Sequence, residues 1–365
     1  MQALERKYDN FLAPSVEIRL GGQVVNTQSI PIQSVEVELS AEGAAGGCTL
    51  VVDSLFDYEN SRWSNEVSRL VKAGARLEVS GGYMKERKPL FSGYVDEYTM
   101  EHSGAGAPRI ILSALDGLGY LMHCRQPYYG GKKQGKAVVQ ELLKKSVSAG
   151  FASGISVDAG MRTFGSPDFT APLVKEQMDD FKFLRLLAQR YGAVLMCLNG
   201  ELIFDALWGS TSPILSLTVG QGLLSFQKRV SLKGQVGQVE VWGRDENHQF
   251  VQGSAASVSV GGTGSTAAQL VPALKDCVLR EFSEYARTQA ECKRLAQARL
   301  DGIAMGLVSG EGTCVGIPEL IPGRYLSIRG MEEQAEGAYF LSKVVHSFTL
   351  EGYQTRFEVK GARTT

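Results

Sequence analysis

A lone histidine, His346, lies in the C-terminal stretch GAYFLSKVVHSFTLEGYQTRFEVK, which runs from Gly337 to Lys360. Histidine titrates near neutral pH, so it is the side chain that most often acts as a general acid or base. A catalytic relay would need a carboxylate, serine or cysteine beside the imidazole. We identify no such relay around His346 in the sequence.

The residues around His346 alternate between apolar and polar, which is typical of a half-buried β-hairpin. With a two-residue turn at Glu351 and Gly352, His346 faces Phe357 on one continuous, mostly apolar face. A histidine in such a position is usually held by a backbone hydrogen bond, in the core or at its margin. We therefore interpret this stretch as scaffold and His346 as a structural residue.

Two pairs of adjacent residues suggest other chemistry. His123–Cys124 would suit a metal ion or a nucleophile, but no second ligand pair lies at a workable spacing. Asp179–Asp180 resembles an acid/base pair, but adjacent residues on a helix point apart, and Asp180 is well placed as a helix N-cap. Neither pair predicts a site.

Known catalytic motifs are missing from the sequence, which has no GxSxG elbow, no HExxH and no GxxxxGK(S/T) loop. The glycines of Gly261–Thr266 lie in a run of small residues, so phosphate binding is not expected. Trp63, Trp208 and Trp242 are scattered, and Gly131–Lys133 is most simply a solvated loop. We expect a protein that is not an enzyme, with no catalytic, cofactor-binding or metal-binding residues and no cofactor.

The composition is that of a soluble globular protein. The 365 residues suffice for two or three domains, and 44% are apolar and 21% charged. The net charge of −1 argues against nucleic acid or an anionic membrane as the main partner. The 42 glycines among short alternating segments indicate a β-rich chain. Buried free thiols, without a CxxC motif, are expected at Cys48, Cys124, Cys197, Cys277, Cys292 and Cys314.

No targeting or spanning segment is recognisable. The start, MQALERKYDNFL, lacks the apolar region of a secretory signal. The longest apolar runs, such as Ala193–Leu198, are too short to cross a membrane. We expect no signal peptide and no membrane insertion.

The periodicity divides the chain into three predicted domains: a β-barrel at 1–125, a small α/β insertion at 126–212, and a second β-barrel at 213–365. The insertion has two amphipathic helices, ending at Gly150 and Gly192, and a hairpin turning at Asn199-Gly200. In the last domain we predict a flexible loop at Gly253–Gln269 and a long helix at about 281–301.

An internal echo connects the two β-rich regions. GARLEVSG, from Gly74 to Gly81, and GRYLSIRG, from Gly323 to Gly330, both read Gly-x-x-Leu-x-(Val/Ile)-x-Gly. Each is followed by a loop and further strands. We interpret the echo as the trace of a duplication that produced two similar tube-like barrels.

Several stretches, taken in order, resemble the phage late control protein D family, the baseplate hub of contractile tails, and the hub portion of the VgrG proteins. GARLEVSGGY and PLFSGYVDEY are similar to the family's Gly-x-x-Val-x-Ile-x-x-Gly-Tyr and Leu-Phe-x-Gly-x-Val. The stretch DDFKFLRLLAQRYGAVLMCLNGELIF resembles its helix and hairpin. GIPELIPGRYLSIRG and GAYFLSKVVHSFTLEGYQTRFEV resemble its last two motifs. Together they run from about Gly74 to Lys360.

This resemblance implies a homotrimer in which each chain supplies two barrels, so that six similar units surround a channel. The implied partners are the central spike protein and the tail tube protein, with the tape measure and baseplate wedge proteins as further candidates. The implied location is the virion tail baseplate, after synthesis in the bacterial cytoplasm. A VgrG continues into a spike, whereas this sequence stops at Thr365, so we expect the spike to be a separate protein.

Three alternatives stay open at this stage. The hub could belong to a type VI apparatus, an extracellular contractile system or a tailocin, since all share the same assembly. A tail-associated peptidoglycan hydrolase would need an acid/base or thiol-imidazole pair in a cleft. A transcription regulator is disfavoured by the neutral charge and by the lack of a helix-turn-helix.

Overall fold

The structure is a computed structural model that describes residues 2–26, 30–53, 56–64, 67–68, 72–104, 106–159, 163–164, 168–206 and 210–365. The chain is mainly β, with two similar barrels and a smaller α/β unit between them in sequence. The predicted fold class of two similar barrels flanking an α/β insertion is therefore confirmed.

The first barrel is built from the N-terminal strands. Its elements are α1 (Gln2–Lys7), a 3-10 turn (Asp9–Phe11), β1 (Pro14–Leu20), β2 (Gln23–Val24), β3 (Ile32–Ser40), β4 (Gly47–Asp53), β5 (Phe56–Asp57), β6 (Arg62–Trp63), β7 (Arg76–Tyr83), β8 (Glu86–Ser103) and β9 (Gly106–Asp116). The sheet order is β1-β7-β8-β9-β4-β3, with antiparallel neighbours. Inward side chains alternate with outward ones, so that Val35, Val37 and Leu39 of β3 are buried.

The insertion packs two long helices against a three-stranded sheet. Its elements are α2 (Gly117–Leu121), β10 (Tyr128–Tyr129), α3 (Gly135–Ser148), β11 (Gly154–Val157), β12 (Val174–Lys175), α4 (Asp180–Tyr191), β13 (Val194–Leu198) and β14 (Glu201–Asp205). Asn199 and Gly200 both have positive φ, which confirms the predicted hairpin turn. The helix α4 ends at Gly192 in the left-handed region, as predicted.

The second barrel follows the insertion. Its elements are β15 (Pro213–Val219), β16 (Gly222–Val230), β17 (Gln238–Arg244), β18 (Phe250–Ala255), α5 (Ala267–Leu270), a 3-10 turn (Pro272–Asp276), β19 (Val278–Phe282), α6 (Gln289–Ala304), β20 (Val308–Val315), β21 (Tyr325–Arg329), β22 (Gly337–Thr349) and β23 (Gly352–Gly361). Six strands close into a ring in the order β21-β15-β16-β20-β23-β22. The remaining strands form a small sheet, β18-β17-β19, covered by α6.

The two barrels share most of their strand pairing, although β1 pairs antiparallel with β7 whereas its counterpart β15 pairs parallel with β21. Within the first, β7, β8 and β9 form successive antiparallel pairs; within the second, β21, β22 and β23 do the same. Before each set, Gly74 and Gly323 have positive φ, and their N–H groups donate to Val95 O and Leu341 O at 2.7 and 2.9 Å. The echo noticed in the sequence therefore marks equivalent positions.

Two of the strand irregularities in each barrel coincide, whereas the shifts in β7–β8, near the end of β8–β9 and in β15–β21 have no counterpart. The β8–β9 pairing shifts register between Val95 and Glu97, and the β22–β23 pairing shifts between Leu341 and Lys343. The β3–β4 and β16–β20 pairings also shift at matching places, between Ile32 and Ser34 and between Leu223 and Ser225 respectively. Since a bulge is a local insertion, four matching bulges fix the correspondence of the two barrels residue by residue.

The same correspondence identifies a second echo that the sequence reading missed. IQSVEVELSAEG, residues 32–43, aligns with LLSFQKRVSLKG, residues 223–234, so that β3 is the counterpart of β16. Both segments end in a glycine with positive φ, Gly43 and Gly234. The signal was present in the sequence, but the side chains differ too much for the pattern to stand out without the strand register.

Two expectations about the second barrel were wrong in detail. The long helix begins at Gln289, not near residue 281, because Thr288 and Glu291 form a capping box there. Residues up to Phe282 instead extend β19. The predicted loop at Gly253–Gln269 begins within β18, and its last residues lie in α5.

The hairpin that carries His346 is shifted by two residues from its predicted register. Thr349 pairs with Gly352, so the turn residues are Leu350 and Glu351. His346 consequently faces Thr355, not Phe357. A shift of two keeps every side chain on its predicted face, because side chains alternate with a period of two.

Candidate assembly surfaces

His346 is a buried, fully hydrogen-bonded residue. Its side chain has no exposed surface, its Nε2 lies 3.1 Å from Leu320 O, and its Nδ1 lies 2.8 Å from the Tyr353 hydroxyl. Nε2–H therefore donates to the carbonyl, and Nδ1 accepts from the tyrosine. Burial lowers the pKa of His346 to about 4, so the imidazole is neutral at physiological pH. The burial and the backbone hydrogen bond predicted for His346 are confirmed by these contacts.

His123 and Cys124 line an open cleft of about 820 Å³, together with Glu141, Lys144 and Lys145. Burial raises the pKa of the Cys124 thiol, which opposes formation of a nucleophilic thiolate. Across the described residues, no three histidine, cysteine, aspartate or glutamate side chains cluster as metal ligands would.

Asp179 and Asp180 have separate roles, and the predicted N-cap was wrong by one residue. Asp179 caps α4 by accepting from Lys182 N at 2.8 Å. Asp180 is fully buried and forms ion pairs with Lys145, at 2.6 Å, and with Lys175. Because a buried charge is stable only when paired, these lysines hold Asp180 in place and link α3, β12 and α4.

The other candidates are spread over the molecule. Thr266 caps the short helix α5, Lys133 pairs with Glu141 at 2.6 Å on the surface, and Trp63 and Trp242 lie in different strands. Trp208 lies outside the described residues. Four cysteines are buried as expected, Cys124 is half-buried and Cys277 is exposed; none forms a disulfide in the structure.

Strand pairing joins distant parts of the chain at the seam between the two barrels. Strand β3 pairs antiparallel with β22 over residues Ser34–Ser40 and Lys343–Thr349. Its inward side chains, among them Val37 and His346, are buried. The seam joins both barrels into one continuous sheet.

Ion pairs follow the outer face of this seam. Glu38 binds Lys343 at 2.8 Å, and Glu36 binds Arg356 at 2.7 Å. All four side chains keep about a third to a half of their surface exposed. In this seam β3 therefore carries the negative charges, and β22 and β23 carry the positive ones.

An N-terminal clamp reinforces the junction. Glu319, in the second barrel, accepts from Lys7 Nζ at 2.8 Å and from the Tyr8 hydroxyl at 2.7 Å. Burial acts to raise the pKa of Glu319, but the hydrogen bonds from these two groups and Lys88 outweigh it and lower the pKa. The Tyr83 hydroxyl donates to Gly316 O at 2.8 Å. The N-terminal segment thus fastens one barrel to the other.

Two strands leave an edge open. The strand β16 pairs with β20 along one side, while on the other it meets β15 only at Gly222 and Leu223. The strand β8 pairs with β9 to its end, while β7 covers its other side only as far as Val95. Beyond these points, the described strands leave the outer sides of β16 and β8 unpaired.

Large apolar side chains are exposed beside these edges. Tyr98 and Met100 of β8 are 43% and 42% exposed, and Val230 of β16 is 46% exposed. An unpaired strand edge with apolar side chains is a ready site for strand addition by another chain.

Comparison with known proteins places the chain in a family. A family model described as the Alg8 N-terminal domain matches residues 12–349, and the chain belongs to that family. No curated protein sequence matches it. Membership in the late control protein D family stays a prediction.

Solved structures share the fold. The tail protein from Neisseria meningitidis MC58 has a TM-score of 0.69 at 12% identity, over 95% of this chain and 96% of that one. The 43 kDa tail protein of prophage MuSo2 from Shewanella oneidensis has 0.69 at 14%, over 96% and 99%. The E. coli c3393 protein, described as a component of the type VI secretion system, has 0.58 at 9%, over 95% and 78%. The chain is similar to tail proteins in fold.

The described helices include none that is both long and apolar enough to span a membrane.

Proposed function

We propose that this chain is the structural baseplate hub of a contractile tail or a related injection machine. In this proposal three copies form a ring, one face of which binds the trimeric central spike while the other templates the hexameric tail tube. The tape measure and baseplate wedge proteins are further candidate partners. The protein would act at the baseplate, where it nucleates the tube.

The observation that supports this proposal best is the internal repeat. A threefold spike and a sixfold tube cannot be matched by a ring of single units, because a closed ring repeats one contact. Three chains with two equivalent barrels each present threefold symmetry to one partner and near-sixfold symmetry to the other. The matching bulges and the shared β3–β22 seam supply the required equivalence. The tail-protein fold supports the same role.

The proposed role is structural, not catalytic. His346 is neutral and saturated with hydrogen bonds, and Asp180 is tied up by two lysines. A zymogram with purified peptidoglycan tests the hydrolase alternative. A cleared band that persists in highly purified protein would refute the structural assignment.

The ring is tested by the molar mass in solution, measured by light scattering alone and with the trimeric spike protein encoded beside it. Three chains of 39.5 kDa give about 118 kDa. That mass, alone or held by the spike, is expected. A monomer under both conditions would remove the symmetry argument.

Phage, tailocin and secretion-machine hubs share this assembly, so their distinction rests on the neighbouring genes. Capsid and terminase genes beside this one would indicate a phage. Their absence would indicate a tailocin or a secretion device.

A further inference from the structure

The open edges of β8 and β16 are the repeat counterparts of the two strands that already meet inside the chain. By the matched bulges, β16 corresponds to β3, and the end of β8 corresponds to the end of β22. In the chain, β3 pairs with β22. The equivalent contact for the remaining edges is therefore between β16 and β8.

That contact is not made within one molecule. In the sheet order of the described strands, β8 neighbours β7 and β9, and β16 neighbours β15 and β20. The seven residue pairs of the β3–β22 seam have no counterpart between β8 and β16. A second copy of the chain is the partner that supplies the missing strand at each edge.

We propose that Phe226–Ser231 of one copy pair antiparallel with Glu97–His102 of the next, in the register of the β3–β22 seam. This seam rests on the trimeric ring of the proposed function and specifies how its copies join. Carried over residue by residue, the register sets Thr99 opposite Arg229 and Glu101 opposite Gln227 on the outer face. The inner face brings together Tyr98 with Val230, Met100 with Lys228, and His102 with Phe226.

The backbone of β16 is oriented for this pairing. Ser231 N donates to Leu307 O, so N–H groups at every second residue before it, such as Arg229, point to β20. The intervening N–H groups, including that of Val230, point to the open side. In β3 the same phase is seen, since Ala41 N donates across the seam to Ser342 O at 2.9 Å. In both strands, the N–H groups of equivalent residues therefore point away from the neighbouring strand of their own barrel.

The charges complement each other with reversed sign. In the internal seam, Glu38 of β3 binds Lys343 of β22. The corresponding residues of the new seam are Arg229 on β16 and Glu97 on β8, both exposed. The ion pair is kept while its polarity is inverted.

This inversion specifies the order of barrels around the ring. Because β8 and β16 are the open edges, two first barrels would bring β8 to β8, with Glu97 and Glu101 on both strands, and two second barrels would bring β16 to β16, with Lys228 and Arg229 on both. Like charges opposite each other in a sheet are destabilising. Only alternation of first and second barrels pairs opposite charges at every seam.

The burial of the equivalent side chains in the internal seam also supports the proposed pairing. In the internal seam, the counterparts of Tyr98 and Met100 are Val344 and His346, both with no exposed surface. Tyr98, Met100 and Val230 would lose their exposed surface in the same way once a second copy covers them. The exposed apolar surface on β8 and β16 is thereby explained by one contact.

Charge reversal tests the ion pair. Arg229→Glu and Glu97→Arg are each expected to weaken association by about tenfold per seam, and the double variant should recover most of it. Lys132→Glu, an exposed charge reversal in the insertion, is the matched control and should leave the mass unchanged. Mass is measured by light scattering over a dilution series, with the spike present if the chain alone dissociates. Additive losses in the double variant would overturn the Arg229–Glu97 pairing.

Cysteine cross-linking tests the register. On a Cys277→Ser background, Glu101→Cys with Gln227→Cys places two cysteines directly opposite each other, at a pair without mutual hydrogen bonds, where side chains lie closest. Oxidation should give covalent dimers and trimers on a non-reducing gel. Thr99→Cys with Gln227→Cys, displaced by two residues, should give few.

The possible outcomes distinguish a failure of the proposed strand pairing from a failure of the proposed function. Cross-links in the displaced pair alone would overturn the register. A particle of trimer mass without cross-links in either pair would overturn the seam, while the trimeric hub would stand. A monomeric wild-type chain, even with the spike, would refute the ring itself.

Discussion

The ends of β8 and β22 occupy equivalent positions in the two barrels, but only β22 is covered by a neighbouring strand. Phe348 of β22 is 6% exposed, whereas its counterpart His102 is exposed at the rim of the first barrel. The two strands show what a barrel unit looks like with and without its neighbour. The difference teaches that burial in this fold is a property of the seam as much as of the barrel.

The largest expected difference concerns the aromatic at the covered edge. Phe348 stacks on Tyr353 with ring centroids 3.9 Å apart, so Phe348→Ala should lower the free energy of unfolding by about 3–5 kcal/mol. In the dilute monomer, His102→Ala should cost about 1 kcal/mol at most, because that side chain is exposed. Urea denaturation followed by tryptophan fluorescence measures both. Equal losses in the free energy of unfolding for the two variants would contradict the assignment of β22 as the covered strand and β8 as the open one.

A second contrast concerns titration, because His346 corresponds to Met100. The pKa of His346 is lowered to about 4 in the folded chain, against about 6.5 when unfolded. Between these values the unfolded state binds more protons, so the free energy of unfolding falls as the pH falls, by about 3 kcal/mol in total by pH 4. His346→Met should remove this dependence. Urea midpoints measured from pH 7 to pH 4.5 test it, and an unchanged slope in the variant would count against it.

The third comparison concerns a pair of facing residues whose individual sizes differ between the two barrels. Leu50 faces Leu112 in the first barrel, and the equivalent pair in the second is Gly312 with Phe357. A Cβ at Gly312 would lie 2.5 Å from Phe357 Cζ, so Gly312→Ala should cost about 1–3 kcal/mol. Adding Phe357→Leu should recover part of the loss. Thermal unfolding of the single and double variants decides whether the two sites compensate.

The smallest expected effect on stability concerns the opposite charges that the two seams carry at equivalent residues. Glu38→Arg gives β3 the charge that β16 carries at the equivalent residue, Arg229. It sets a positive charge beside Lys343 and should lower the free energy of unfolding by up to about 1 kcal/mol. Arg229→Glu gives β16 the charge that β3 carries at Glu38. It should change the free energy of unfolding of the monomer by less than about 0.5 kcal/mol while it weakens association. Melting temperatures in dilute solution give the first quantity, and the dilution series gives the second. A loss of monomer stability on Arg229→Glu would indicate an internal role for that side chain.

Much of the fold follows from periodicity and turn chemistry. The two amphipathic helices α3 and α4 and the turn at Asn199 depend on local sequence alone, and each was predicted correctly. The glycine echo was also interpretable, because positive φ restricts those sites to few residue types.

The strand registers and the partners of individual side chains were harder to predict from the sequence. A two-residue shift of the His346 hairpin preserves the buried face, so the hydrophobic pattern could not distinguish Leu350-Glu351 from Glu351-Gly352 as the turn. The choice between Asp179 and Asp180 as cap depended on Lys175, which lies on a separate strand. The open edges required knowledge of which strands meet, and pairing between distant segments leaves little trace in one sequence.

The internal pairing of β3 with β22 has a consequence for the speed and order of assembly. In the proposed ring, six separate barrels would have to form six contacts between molecules, whereas three chains that each carry one preformed junction would form only three. Each avoided encounter spares the loss of translational and rotational freedom, which amounts to several kcal/mol per association. In that ring, two barrels in one chain would convert half of a concentration-dependent process into a concentration-independent one, which would favour complete rings when few copies are present.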